Sequence, residues 1–337
     1  MAGTIIITGS NGSLAIHAVR QLLAHSPDFT LVLTVRNTSD DDPNTKALRS
    51  VLAKHPQQSH ASVRQLDLTN LASVHDFARN IANEISKGDL PPLVSIVCNA
   101  YYWNLTRPLE VTAGDGFEKT FQIGHLAHVA LVLRLLGSFH PQLPGRIVCF
   151  SSDAIFPGKN GLEKIPPAIP DDLDLLAHPP PDAKNDNMAY GFQRYANTKL
   201  AIVTWTHALN RRLEKDSKLK HITAVAINPG NLSDSRALRV NTPAMVQYLS
   251  KIVIRPLRPL LQMMDPTMRT SAEAGQDVAR LAINEASPNE RGYFTLLKKE
   301  ESSPESLIEQ KQERLWLQSA QWVGLTAQDT SLESAFD

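Results

Sequence analysis

The chain has 337 residues, 34 lysines and arginines against 34 aspartates and glutamates, and 42% hydrophobic residues. That length suits two small domains or one large α/β domain with insertions, and the apolar content supports a full-sized core. Zero net charge argues against nucleic acid as the main partner, because phosphate backbones call for a basic surplus. Its two cysteines, Cys98 and Cys149, each lie in an apolar run; buried, reduced thiols in a cytoplasmic setting are expected. No charged leader precedes the first apolar run, and no stretch is expected to reach the length of a membrane span.

Short apolar runs alternate with amphipathic stretches along the chain. TIIIT precedes LAIHAVRQLLAH, FTLVLTV precedes NTKALRSVLAKH, and SVRQLDL precedes LASVHDFARNIANEIS. LVSIVCN is followed by DGFEKTFQIGHLAHVALVLRLL, RIVCFSS by YANTKLAIVTWTHALNRRLEK, and HITAVAIN and GYFTLL come later. The early runs are continuous rather than alternating, as in a parallel sheet covered on both faces. The pattern predicts one doubly wound α/β sheet of about seven strands with helices on both sides. It places a dinucleotide-binding domain over 1–300 and a tail over 301–337. Two segments break the rhythm: a Pro-, Asp- and Asn-rich insertion, 153–191, and a lid, 233–270. Within the lid, LSKIVIRPLRPLLQMM is basic and broken by Pro256 and Pro259. It reads as a lid or surface helix pair, with surface association left open.

TGSNGSLA, Thr8 to Ala15, joins the first strand to the first helix. Free N–H groups and the dipole at such a helix start favour an anion such as a pyrophosphate. The loop has two glycines, Gly9 and Gly12, rather than three. Gly9 allows the turn, Ser13 and Ala15 are small enough for close backbone approach, and Ser10 offers a hydroxyl. Dinucleotide folds usually carry an acid roughly 20 residues further on, gripping the adenosine ribose. Arg36 stands there instead, and a guanidinium suits a 2′-phosphate, hence NADP(H).

YANTK sets Tyr195 and Lys199 four apart on one helix face. RIVCFSSDA puts Ser151 and Ser152 at the end of the fifth strand, VCNA puts Asn99 at the end of the fourth, and INPG puts Pro229 and Gly230 at the end of the sixth. Strand alternation turns the two serines to opposite faces. With TGSNGSLA, this set resembles the classical short-chain dehydrogenase/reductase family from Thr4 to about Leu296. The insertion before AYGFQRYANTKLA is similar to that of retinol-dehydrogenase-like members, and the wording is also similar to fungal tailoring enzymes of secondary metabolism.

The resemblance implies an oxidoreductase acting on CH–OH or C=O groups. Tyr195 would be the general acid, Lys199 would lower its pKa and hold the nicotinamide ribose, and Ser152 would steady the substrate oxygen. The coenzyme would lie on Gly9, Ser10, Asn11, Gly12, Ser13 and Leu14, with Arg36 at the 2′-phosphate. Asp67 and Leu68 would meet the adenine, Asn99 and Ala100 the adenine ribose, and Pro229, Gly230 and Leu232 the nicotinamide carboxamide. The threonine expected after that last turn is Asp234, leaving Ser233 or Ser235 to supply a hydroxyl.

Other departures bear on the chemistry. Gly124 stands where the family carries an asparagine in a kinked helix. His125 and His128 make an i, i+3 pair without a further ligand, so packed histidines are expected rather than a metal site. Tyr101, Tyr102 and Trp103 follow the Asn–Ala turn and either pack under the insertion or line a flat apolar cavity. The apolar, Met-containing lid fits a bulky apolar ketone or aldehyde, of retinoid, steroid, polyketide or terpenoid kind, although lid packing accounts for the same residues. The leading expectation is an NADPH-dependent carbonyl reductase, or alcohol dehydrogenase in reverse. The alternatives are a non-redox isomerase or cyclase and a non-catalytic NADP-binding protein. Family members often pair through the helices holding Gly124 and Tyr195; a homodimer is compatible with this chain unless the tail blocks it.

Overall fold

Strands that are apolar along their whole length need cover on both faces, and here both faces are covered. The computed structural model describes all residues except 1, 27, 56–59, 183–185, 334 and 337. Residues 183–185 of the expected insertion therefore lie outside the described residues.

The first half alternates regularly: β1 (Gly3–Ile7), α1 (Ser13–His25), β2 (Phe29–Val35), α2 (Pro43–Leu52), β3 (Ala61–Gln65), α3 (Leu71–Lys87) and β4 (Leu93–Cys98). Next come α4 (Lys119–Phe121), a π turn over Gln122–Leu126 and α5 (Ala127–Leu135), which together form one bent helix leading to β5 (Gly145–Phe150). The described part of the insertion holds a 3-10 turn, Asp153–Ile155, and α6 (Asp174–Ala177) before α7 (Asn187–Lys215) and β6 (Ile222–Asn228). α7 starts four residues before the expected end of the insertion, with the Asp186 side chain capping it by accepting from the Ala189 N–H. β7 (Asn231–Leu232) precedes the lid, which comprises α8 (Ala244–Leu249), a π turn over Ser250–Ile254, α9 (Arg255–Met264) and β8 (Met268–Arg269). α10 (Ser271–Ala282), β9 (Gly292–Thr295), β10 (Lys298–Glu300) and α11 (Glu309–Trp322) complete the chain.

The main sheet runs β3-β2-β1-β4-β5-β6-β9-β10 and is parallel except for β10. It has eight strands where about seven were expected. The extra one is a short charged edge, KKE, that carries no apolar signal. Alternate residues of each strand feed two cores: Ile6, Val32, Ile96 and Ile147 face α3, α5 and α7, whereas Ile5, Leu31, Val97 and Val148 face α1 and α10. The order reverses between β1 and β4, which opens the ligand crevice at the carboxyl ends of those strands.

One helix, Lys119–Ser138, is long and apolar enough by length and composition to cross a membrane, contrary to the expectation from sequence. It lies mostly buried between α3 and α7, as the core helix of this fold, and its apolar character reflects burial on nearly every side. Cys98 and Cys149 are free, buried and register partners on β4 and β5.

Candidate active site

The crevice is built first from β1 and α1. Gly9 has φ +61°, and a Cβ there would stand 3.0 Å from the Ala100 Cβ; only glycine permits both the left-handed turn and this approach. α1 begins after Gly12 with no side-chain cap and no acid in its own first turn, which leaves its positive end suited to an anion. Asn11 Nδ2 donates to Asp42 (3.1 Å) and Thr45 (3.0 Å), tying the loop to α2. Ser13 Oγ accepts the Arg236 N–H at 3.0 Å, and Leu14 is buried in the core beneath. Ser10 is fully buried, with its hydroxyl donating to the Ile7 carbonyl at 2.7 Å. That hydroxyl is turned into the strand and away from the loop's open side, unlike the donor role expected from sequence.

The end of β4 locks onto this loop. Asn99 Nδ2 donates to the carbonyls of Thr8 (2.9 Å) and Gly9 (3.1 Å), and the Ala100 N–H donates to Thr8 Oγ1 (3.0 Å). Thr8 Oγ1 also lies 3.0 Å from His128 Nε2, while His128 Nδ1 lies 3.4 Å from the Gly124 carbonyl. Burial pushes His128 down to about 4, so the ring is neutral at pH 7. The partners assign its proton to Nδ1, facing Gly124, and leave Nε2 to accept from Thr8. His128 thus ties the coenzyme loop to the turn holding Gly124. The i, i+4 spacing of Gly124 and His128 was readable in the sequence, but their link through His128 to Thr8 was not.

Ser152, Tyr195 and Lys199 converge from the end of β5 and the middle of α7. Lys199 is buried, donates to the Phe150 carbonyl at 3.0 Å, and sits 5.7 Å from the centroid of the Tyr195 ring. Burial lowers its pKa to about 8, against a smaller opposing effect from Cys149. Burial, followed by the Tyr101 phenol, pushes the Tyr195 phenol well above its ordinary value; the Ser152 hydroxyl pulls it back. Ser152 Oγ donates to Asp153 (3.0 Å) and accepts from the Ala154 N–H (3.2 Å). Ser151 is buried, whereas Ser152 is half-open on the crevice side, as alternation requires.

The aromatic cluster divides. Trp103 meets the Tyr195 ring edge-on at 5.5 Å and Tyr101 lies 6.1 Å from it, so both wall the site. Trp103 also packs against the cluster of Leu105, Ala154, Phe192 and Ala196, as does Leu162 of the insertion, which is the packing role expected of it. Tyr102 turns away, its hydroxyl bonded to Glu110 and its ring under Lys119.

The remaining expected contacts line the rim. Arg36 is exposed just past β2. Asp67, two residues beyond β3, accepts from the Thr69 N–H (2.9 Å) and hydroxyl (2.7 Å), and the Leu68 carbonyl accepts from Gln122 Nε2 at 3.4 Å. After Pro229, Gly230 has φ +86°, and a Cβ there would fall 2.4 Å from the Thr267 carbonyl oxygen. Leu232 then pairs in register with Arg269. Asp234 accepts from both the N–H and the hydroxyl of Ser271 (2.8 Å each), so it anchors the start of α10. Ser233 is buried with its hydroxyl donating to the Arg269 carbonyl. Ser235 remains near the crevice, beside the Tyr101 phenol. Arg236, unmarked by any motif, reaches the Asn11 carbonyl at 3.4 Å and brings the lid onto the loop.

Gly124 has a packing reason. It lies in the π turn, and a Cβ there would stand 2.6 Å from Thr198 Cγ2 on α7. Its missing side chain lets α7 press in beside Lys199. Gly124→Asn, which restores the family residue, is therefore expected to destabilise the fold by about 1–3 kcal/mol through overpacking. Adding Thr198→Ser, which removes the obstructing methyl, should recover most of that loss; denaturant unfolding of the single and double variants checks it.

Comparison with known proteins bears on the family and the fold. Residues 236–332 match the AcuH dehydrogenase domain. Short-chain dehydrogenase iccH of Talaromyces variabilis is 27% identical over 98% of both chains. Retinol dehydrogenase 13 of Homo sapiens is 28% identical over 96% of this chain and 85% of that protein. Among solved structures, the NADPH-bound carbonyl reductase from chicken fatty liver superposes with a TM-score of 0.54 at 16% identity, over 88% of this chain and 98% of that one. With the serine, tyrosine and lysine brought together, the glycine loop and the reversed strand order, the chain belongs to the short-chain dehydrogenase/reductase family of oxidoreductases.

Proposed function

We propose that the chain is an NADPH-dependent carbonyl reductase, running as an alcohol dehydrogenase in reverse, on a bulky apolar ketone or aldehyde. The observation that carries this reading is the meeting of Ser152, Tyr195 and Lys199 beside an uncapped helix start at the strand-order reversal. The residues fit a dinucleotide: at Gly9 no side chain stands between the turn and Ala100, and α1 offers its N–H groups to a pyrophosphate. Arg36, exposed at the end of β2, fits a 2′-phosphate. The chicken carbonyl reductase binds NADPH on the same fold, which agrees with that choice.

When bound, the nicotinamide supplies a hydride to the carbonyl carbon. Tyr195 holds the proton that passes to the carbonyl oxygen, and its raised pKa keeps it protonated before reaction. On substrate binding Ser152 would turn its hydroxyl from Asp153 to donate to the same oxygen and steady its developing charge. Lys199 favours the tyrosinate that remains and, from the same helix face, holds the nicotinamide ribose. Tyr101 and Trp103 offer flat apolar walls to the substrate.

Arg36→Asp tests the coenzyme choice. Reversing this charge should weaken NADPH binding by about tenfold or more and leave NADH binding nearly unchanged, read by fluorescence titration. An unchanged NADPH-to-NADH ratio would remove Arg36 from the coenzyme site. Stopped assays of NADPH consumption against bulky apolar aldehydes and ketones test the reaction itself.

A further inference from the structure

We propose that the outer face of the lid, 240–264, docks on an anionic lipid surface. The inner side of this segment is already seated. Val246 and Ser250 are buried, Gln247 Nε2 donates to the Thr242 carbonyl (2.8 Å), and Arg255 Nε donates to the Ser233 carbonyl (3.2 Å). The outer side is apolar and bare: Met245, Leu249, Ile252, Leu260 and Met263 recur at helical spacing along α8, the π turn and α9, and Ile252 and Met263 are 65% and 81% exposed. Most of the large apolar side chains exposed among the described residues lie in this one segment. A patch of this kind on an otherwise ordinary surface marks an interaction site.

Charge identifies the occupant. Between Asp234 and Asp265 the chain has no carboxylate, yet it carries Arg236, Arg239, Lys251, Arg255 and Arg258, in a protein of zero net charge. Arg236 and Arg255 turn inward to the Asn11 and Ser233 carbonyls and Arg258 lies near Glu273, so pairing this face with itself in a two-fold dimer would set the exposed Arg239 and Lys251 against their own copies. Closure over the crevice would engage the inner side, which is already occupied. A bilayer surface with anionic headgroups satisfies both features, because apolar side chains enter the headgroup–acyl boundary while Lys and Arg stems reach back to the phosphates. The start of the lid borders the aromatic walls, with Asn241 Nδ2 donating to the Trp103 carbonyl and its own carbonyl accepting from the Leu105 N–H. On the reductase reading, an apolar substrate dissolved in the bilayer would enter there; the docking itself does not depend on that reading.

The test is co-sedimentation of the full chain with phosphatidylcholine vesicles, with and without phosphatidylserine. Binding should be about tenfold or more tighter with phosphatidylserine and should weaken as salt is raised. Ile252→Asp with Leu260→Asp, and separately Lys251→Glu with Arg258→Glu, should each reduce binding by about tenfold or more. Both pairs sit away from the crevice, so NADPH affinity and melting temperature should be retained. Equal binding to the two vesicle types, or variants that bind like the parent, would overturn the proposal. So would a parent dimer on size-exclusion chromatography that the Ile252→Asp/Leu260→Asp pair dissociates, because the face would then belong to a second copy.

Discussion

Replacing Tyr195 with phenylalanine is expected to lower turnover by roughly 10²–10⁴-fold, the usual worth of a positioned general acid, while NADPH binding is nearly unchanged. The substitution is informative because the ring stays in place. Trp103, Tyr101 and Phe192 contact its faces and edges, at centroid distances of 5.5, 6.1 and 6.1 Å, and phenylalanine preserves that packing. Only the hydroxyl facing Ser152 is lost. A fall in kcat without a matching change in coenzyme affinity therefore reports the proton at the reaction centre rather than the shape of the site. Steady-state NADPH oxidation alongside fluorescence titration of the same preparation separates the two. A variant that keeps the parent rate would assign the proton to another group and sink the mechanism. A product at the oxidation level of its substrate would point instead to isomerisation or cyclisation on this scaffold.

The fold was legible where burial imposes a pattern. Continuous runs such as TIIIT and FTLVLTV become β1 and β2 because both faces are covered, and YANTK falls on α7 as its spacing requires. That Ser151 and Ser152 differ in burial followed from alternation, because adjacent residues of an extended chain must face opposite ways. What escaped was whatever depends on which distant surfaces meet. The edge strand β10 is charged and pairs antiparallel with β9, so hydrophobic periodicity carries no trace of it. Gly124 looked like a lost kink residue, but its reason is Thr198, a residue distant in sequence that packs against it from another helix. Ser10 has the right identity for a phosphate donor; the hydrogen bond to Ile7 that removes it from the loop's open side is a tertiary fact. Arg236 and His128 belong to no motif, and only their partners, Ser13 and Thr8, reveal that they brace the coenzyme loop.

Trp316→Ala is expected to release the tail, and the size of the effect follows from how α11 is held. Trp316 and Trp205 of α7 are fully buried and stacked, with centroids 5.4 Å apart and planes 13° from parallel. The Arg212 guanidinium lies 4.4 Å from the Trp316 ring centroid, and the indole N–H donates to the Ala335 carbonyl. Around this anchor, Ser319 bonds His125 Nε2 at 2.8 Å and Arg211 and Arg212 both pair with Glu313. Truncating a buried tryptophan of this kind costs about 3–5 kcal/mol, more than the exposed half of α11 could recover. The loss should appear as faster limited proteolysis within 301–337 and a lower unfolding midpoint, with Tyr195 and Lys199 still positioned by the upper part of α7. The same docking bears on assembly. α11 packs on α7, one of the two helices considered for pairing, and His125 on the other is capped by the tail as well. The parent chain is therefore expected to run as a monomer in light scattering, because a second copy would have to displace a stacked tryptophan pair and its ion pairs before it could bury the same surface. Trp316→Ala bares Trp205 and should shift the chain toward self-association as concentration rises; a parent that is already a dimer through α7 would show that the tail does not occupy this face in solution.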